Sequence, residues 1–172
     1  VKFMLWTLKK CWYRIYQRVF KVAMCFMDWS APQLLEGAGS VLRLPELIKS
    51  KGVKKVLVVT DKGLIALHLL DPLFAKLDEV PNPTIPCIEE CKDMYVKNGC
   101  EGVIAFGGGS AMDCAKVAAA RAVKPNQSVR AMRGQLKVHK KLPPLFAVPT
   151  TAGTGSETTV AAVVTDPETH EK

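Results

Sequence analysis

Three stretches of this 172-residue chain hold residues whose types and spacing suit them to chemistry. The first is Gly107-Gly108-Gly109-Ser110, which follows the apolar run GVIAF and opens the Ala-rich stretch 111–123. Glycines let backbone approach a ligand closely, and a helix start offers unpaired N–H groups and the positive end of its dipole, so the turn suits a phosphate. A bare triple glycine also serves as a tight turn with no ligand. The general phosphate motifs are absent: there is no G-x-x-x-x-G-K-[ST], and G-x-G-x-x-G fails because Met112 stands where the third glycine would be. The second stretch interleaves Thr150, Thr151, Thr154 and Ser156 with Gly153 and Gly155, a flexible hydroxyl-rich loop able to donate to phosphate or accept from an amine. The third is Asp61, whose carboxylate suits both hydroxyls of a ribose, or the N-cap of a helix starting at Lys62, or both at once. It precedes the glycine turn instead of following it by about 20 residues, so the ordinary order of a dinucleotide fold does not apply.

Such residues need strand ends and helix starts to position them. Residues 54–60 (KKVLVVT), 102–106 (GVIAF) and 145–148 (LFAV) predict short strands, the first a β-branched run of the kind buried on both faces of a parallel sheet. Helices are predicted over 41–50, closed by Gly52; over 62–70, stopped by Asp71-Pro72; over 85–98, ended by Gly99; and over 111–123. Residues 33–36 read as a strand before the turn Gly37-Ala38-Gly39, Glu79-Val80 as a short strand before the Pro81-Asn82-Pro83 loop, and 160–165 as a final strand. This alternation predicts an α/β fold, with a mostly parallel, Rossmann-like sheet flanked by helices.

Residues 1–30 read differently. Leu5, Leu8, Trp12, Ile15, Val19 and Phe20 follow a 3.6-residue period, which predicts an amphipathic basic helix as an N-terminal extension, with residues 31–172 as the α/β domain. Its longest apolar run, residues 22–27, falls far short of the roughly 20 residues that span a bilayer. The apolar stripe is expected to pack against the rest of the protein or a partner chain, with an anionic membrane surface as the alternative.

The net charge of +8 concentrates in residues 1–30, at +5, and 121–141, at +7, leaving the remainder at −4. Neither basic segment holds an RNP-like, KH-like or zinc-finger pattern, so no nucleic acid partner is expected. The six cysteines, with Cys87-x3-Cys91 the tightest spacing, fit reduced cytoplasmic thiols better than a disulfide framework or a zinc site, and His68, His139 and His170 lie too far apart to form a ligand motif.

GVIAFGGGSAMDCAK (102–116) followed by PTTAGTGSE (149–157) resembles the iron-containing, or group III, alcohol dehydrogenase family, as do VLVVTDKGL (56–64), VPNPT (80–84) and the closing VVTDPETHEK. The resemblance covers residues from about 33 onward and implies the dehydroquinate-synthase-like N-terminal domain of a two-domain enzyme, binding NAD in preference to NADP. It implies that Asp61 binds the adenosine ribose, and that Asn82, Gly107, Gly108, Gly109, Ser110 and Asp113 line the pyrophosphate and nicotinamide. Thr150, Thr151 and Thr154 would hold the adenine side, with Thr159 and Lys172 near the ribose. In the family a metal, Fe2+ or Zn2+, is held by one Asp and three His of a C-terminal helical domain, so no metal ligand and no catalytic residue is assigned within these 172 residues. The expectation is an alcohol or aldehyde oxidoreductase fragment carrying the cofactor half, inactive alone, cytoplasmic, and homo-oligomeric when whole. A polyol dehydrogenase or dehydroquinate-synthase-like half, or a nucleotide-binding module without catalysis, are the alternatives.

Overall fold

The computed structural model describes residues 2–25, 31–77, 88–134, 137–138 and 140–165. The chain divides into two compact units, Val1–Leu34 and Leu35–Lys172. The first is built on one helix, α1 (Lys2–Cys25). Lys10 Nζ lies 3.4 Å from the centroid of the Trp6 ring, and the Tyr16 and Phe20 rings stack one turn apart. No helix among the described residues is long and apolar enough to cross a membrane.

The second unit is organised by a three-stranded parallel sheet in the order β1 (Val56–Val59), β2 (Gly102–Gly107), β3 (Leu145–Pro149). Val56 faces Gly102 across the first pair, and Gly107 faces Pro149 across the second. Every residue of β1 and β2 is buried, as strands covered on both faces must be. Because side chains alternate, Val56 and Val58 join Ile104, Phe106 and Phe146 in one layer with Leu44 and Ile48 of α2 (Leu44–Ser50) and Leu73 of α4 (Asp71–Phe74). Leu57, Val59, Val103 and Ala105 face the other way. They pack on Cys91 of α5 (Ile88–Lys97) and on Met112, Ala115, Ala118 and Ala119 of α6 (Gly109–Val123), whose small side chains let the helix lie close to the sheet.

The expected parallel α/β sheet flanked by helices is thus present, with three local differences. Residues 33–36 are not a strand; they run as irregular chain in which Leu35 packs on the core, and the Arg43 guanidinium donates to the Glu36 carbonyl at 2.7 Å. Residues 160–165 are not a strand either, because helix side chains take up their backbone groups, as described below. The helix beginning at Lys62, α3 (Lys62–Ala66), ends early, and Asp71-Pro72 opens α4 instead of merely stopping its predecessor. Proline lacks only an N–H that a first helical turn leaves unbonded anyway. Between the two, His68 takes a left-handed φ of 56°, and its Nδ1 lies 2.9 Å from Asp71 Oδ2. The expected strand at Glu79-Val80, the loop at 81–83 and the first residues of the 85–98 helix fall outside the described residues.

A buried cation pins α6 to α5. Arg121 forms a two-pronged pair with Glu89, Nε to Oε1 at 2.6 Å and Nη2 to Oε2 at 3.0 Å. Its Nη1 donates to the carbonyls of Lys124, Pro125 and Gln127, which closes the end of α6 against the following turn. The guanidinium holds the Glu89 carboxyl below its ordinary value of 4.5. On the same α5–α6 face, the neighbouring Cys114 and burial together push the Cys91 thiol far up, so it stays protonated and inert.

Since the folded Glu89 carboxyl titrates lower than the unfolded one, its contribution is complete above pH 4.5 and is lost as pH falls below that value. The acid limb of a stability profile should therefore be steeper for the native chain than for Glu89→Gln, measured by urea melts between neutral pH and pH 3. Arg121→Ala should cost about 2–3 kcal/mol, less than a fully buried pair, since the Glu89 side chain keeps 42% exposure.

Candidate functional site

In a parallel sheet all strands end on the same side, and the three chemically suited stretches leave the three strands there. β1 runs into Asp61, β2 into Gly108 and β3 into Thr150. The Thr150 N–H donates to the Gly107 carbonyl at 3.0 Å, extending the β2–β3 ladder one step past the strands and bringing the hydroxyl loop onto the glycine turn.

The contact between turn and loop leaves no room for side chains on the turn. A first side-chain carbon on Gly108 would lie 2.9 Å from Thr151 Oγ1, and one on Gly109 would lie 3.2 Å from Ser156 Oγ and 3.4 Å from the Thr154 side chain. One on Gly107 would lie 2.8 Å from Ala111 Cβ and 3.7 Å from Asp61 Oδ2. A side chain at Gly107 or Gly108 would overlap its neighbour and one at Gly109 would press on Ser156 and Thr154, and this close packing draws Asp61, Thr151, Thr154 and Ser156 around one helix start. Helix α6 begins at that point with no side-chain cap and no acidic residue in its first turn, and Met112 is the first N–H to bond back, to the Gly108 carbonyl at 3.2 Å. The preceding N–H groups of the first turn are the ones a helix presents to an anion.

Asp61 serves α3 as its N-cap: Oδ1 accepts from the Leu64 N–H at 2.9 Å. The carboxylate is exposed, and its other oxygen is the one toward Gly107. Beside it, Thr60 Oγ1 is buried with no hydrogen-bond partner, an orphaned hydroxyl at the same strand end.

Asp113 and Thr159 are placed differently. Asp113 is buried on α6; Oδ1 accepts from Lys116 Nζ at 3.2 Å and Oδ2 accepts from the Val163 N–H at 3.0 Å. Lys116 Nζ also donates to Thr159 Oγ1 at 3.1 Å and to the Ala161 carbonyl at 2.8 Å. One turn of α6 thus ties down residues 159–163, the stretch that continues the hydroxyl loop. Asn82 and Lys172 lie outside the described residues, while Gly107, Gly108, Gly109, Ser110, Thr150, Thr151 and Thr154 are all at the glycine turn or its facing loop. Sequence reasoning missed Lys116 as a site element. Its spacing of three from Asp113 was the available signal, since residues three apart on a helix are neighbours. Ser156, recognised only as one hydroxyl of the loop, is the buried one, and its Oγ is the atom nearest to where a side chain on Gly109 would begin.

Among the described residues no group of three or more His, Cys, Asp and Glu is placed to hold a metal. A family model described as iron-containing alcohol dehydrogenase matches residues 31–172. The chain belongs to the iron-containing alcohol dehydrogenase family. It is 35% identical over 157 residues to a choline dehydrogenase of Bacillus subtilis (strain 168), covering 83% of this chain and 39% of that protein. To the lactaldehyde reductase of Escherichia coli (strain K12) it is 34% identical over 148 residues, covering 79% and 39%. Among solved structures it superposes on sulfoacetaldehyde reductase from Bifidobacterium kashiwanohense in complex with NAD+, with a TM-score of 0.67 at 30% identity over 84% of this chain and 42% of that one. Alcohol dehydrogenase from Oenococcus oeni gives a TM-score of 0.70 at 35% identity over 84% and 41%. The chain therefore spans about two fifths of the length of these iron-containing alcohol dehydrogenase relatives.

The Asp113–Lys116 pair is nearly dry, with 10% and 11% of the side chains exposed, so removing its cation strands a carboxylate. Lys116→Met should cost about 3 kcal/mol in chemical denaturation, and limited proteolysis should cut the native-state chain faster between residues 157 and 165. Unchanged cleavage there would show that Lys116 does not hold that segment.

Proposed function

We propose that this chain binds NAD at the strand-end site and forms the cofactor side of an oxidoreductase acting on small alcohols or aldehydes. The observation that carries the reading is the cradle at the start of α6, where Gly108 and Gly109 lie so close to Thr151, Thr154 and Ser156 that a methyl group would fill the space. Such a turn fits a pyrophosphate: the first-turn N–H groups of α6 and the Ser110 side chain donate to its oxygens, and the dipole of a 15-residue helix favours its charge. Thr150, Thr151 and Thr154 line the adenine side. Asp61 accepts from the ribose hydroxyls, and its charge opposes the extra phosphate of NADP. Asp113, Lys116 and Thr159 act as positioning residues, holding the segment that continues the adenine-side loop. Asn82 and Lys172 are assigned to the nicotinamide and ribose sides by the family resemblance alone.

When bound, NAD supplies the hydride acceptor or donor at its nicotinamide ring. The chain's own part is to bind that cofactor, orient it and select it. No donor cluster for the divalent metal of the family comes together among the described residues, so none of them is assigned to hold it. The relatives' names, choline dehydrogenase and lactaldehyde reductase among them, support a small hydroxylated or carbonyl substrate. A freely diffusing dinucleotide suits a cytoplasmic setting.

Titration of the 172-residue chain with NADH, followed by the nicotinamide's own fluorescence or by calorimetry, tests this. Gly108→Ala should weaken binding at least about tenfold, equivalent to about 1.4 kcal/mol, with the sheet intact by circular dichroism. Asp61→Ser keeps a capping oxygen for α3 but removes the charge, so it should narrow the preference for NADH over NADPH by roughly tenfold. Equal affinity for both cofactors in the native chain, or an unchanged ratio in the variant, would remove Asp61 from the site. No binding at all would overturn the proposal.

A further inference from the structure

We propose that α1 docks on the surface of an anionic lipid bilayer, lying in the plane of the interface. Leu5, Leu8, Trp12, Ile15, Val19 and Val22 recur at alternating three- and four-residue steps, which at 3.6 residues per turn gathers them into one stripe along the helix. Trp12 is 68% exposed and Val19 64%. Lys10, Arg14 and Lys21 fall on the opposite side, and Lys9 and Arg18 border the stripe on its two flanks. From there long side chains can lay their methylenes along the stripe and lift their charges toward phosphates.

The sign of the charge selects the occupant. Residues 2–25 hold six cations and no carboxylate. The same spacing would suit a two-stranded coiled coil of this helix with a second copy, but that pairing would set six cations against six with no acidic partner at its edges. Residues 31–172 carry 18 cations and 15 anions, so the remainder of the chain offers no net opposite charge. What remains is an anionic surface of another kind. Tyr16 lies at the margin of the stripe and Trp12 within it, rings of the sort that settle at headgroup level, which favours lipid over an acidic protein, while Trp6 and Tyr13 lie on the cationic side, where Lys10 sits over the Trp6 ring. The length fits as well: 24 residues make a rod of about 36 Å that is too charged to cross the bilayer but can lie along it.

All three tryptophans of the chain, Trp6, Trp12 and Trp29, lie in its first 29 residues, so tryptophan emission reports on this segment. The test adds vesicles of phosphatidylcholine with about one third phosphatidylglycerol, or of phosphatidylcholine alone, to the full 172-residue chain, and follows emission and co-sedimentation. The expected result is a blue shift and sedimentation with the anionic vesicles only, reversed at about 0.5 M salt. Reversing three charges together, Lys10→Glu, Arg14→Glu and Lys21→Glu, should lower the partition roughly a hundredfold. A second variant, Leu8→Ser with Val19→Ser, should weaken it while leaving the cations in place. Equal binding to both vesicle types, or none to either, overturns the proposal. Self-association through α1 in place of vesicle binding overturns it in favour of a second copy, and capture by soluble polyglutamate without a preference for vesicles overturns it in favour of an acidic protein.

Discussion

Burial of β1 and β2 on both faces is the constraint from which the rest of the second unit follows. A strand covered by helices above and below can present polar groups only at its ends, since a polar side chain on either face would have to be hydrogen-bonded in a dry layer. Val56, Leu57, Val58 and Val59 obey this without exception, and the first polar residues after them, Thr60 and Asp61, fall at the edge. Parallel pairing then sends every such end to the same side. The site is thus a consequence of packing, located by where apolar runs stop.

Helix α6 is the element through which that side is organised. Its start meets the glycine turn, its second turn carries Asp113 and Lys116, which hold residues 159–163, and its last turn carries Arg121, which holds α5 and the following loop. Between them, alanines at 115, 118 and 119 keep the helix close against the sheet. Polar side chains buried along such a helix are tolerable only because each is satisfied: Asp113 by a cation and a backbone N–H, Arg121 by a carboxylate and three carbonyls. A rigid helix that anchors both its sheet and its loop can hold the glycine turn against Thr151 at a separation that excludes a methyl group.

The parts of this arrangement that were legible in the sequence are those set by local pattern. KKVLVVT and GVIAF announce buried parallel strands by their continuous apolar character, and the glycine turn and hydroxyl loop announce a strand-end site by composition. What pattern misread was decided by long-range partners. Residues 160–165 are rich in β-branched side chains and read as a strand, but Asp113 and Lys116, some 45–50 positions away, claim the backbone groups a sheet neighbour would have used. Residues 33–36 likewise read as extended around Leu34 and Leu35, yet only Leu35 finds the core. Propensity describes what a segment can do alone; a ladder needs a second strand at the right place.

Asp61 shows how closely local and functional demands can be joined in one residue. Its Oδ1 completes the first turn of α3, and a side-chain carbon at Gly63 would lie 3.1 Å from that oxygen, so the cap fixes both the carboxylate's rotation and the need for glycine two residues on. With Oδ1 held, Oδ2 is directed toward Gly107. A freely rotating aspartate would lose side-chain entropy on meeting a ribose, whereas a capped one has already lost it on folding. On the proposed reading, the same carboxylate that begins a helix of only five residues would be pre-oriented for the two ribose hydroxyls, and its negative charge would stand where an additional phosphate would have to come. An asparagine could cap equally well and accept a hydrogen bond, but it would not repel that phosphate. On that proposed reading it is the charge, and not the cap, that distinguishes aspartate from asparagine at this position.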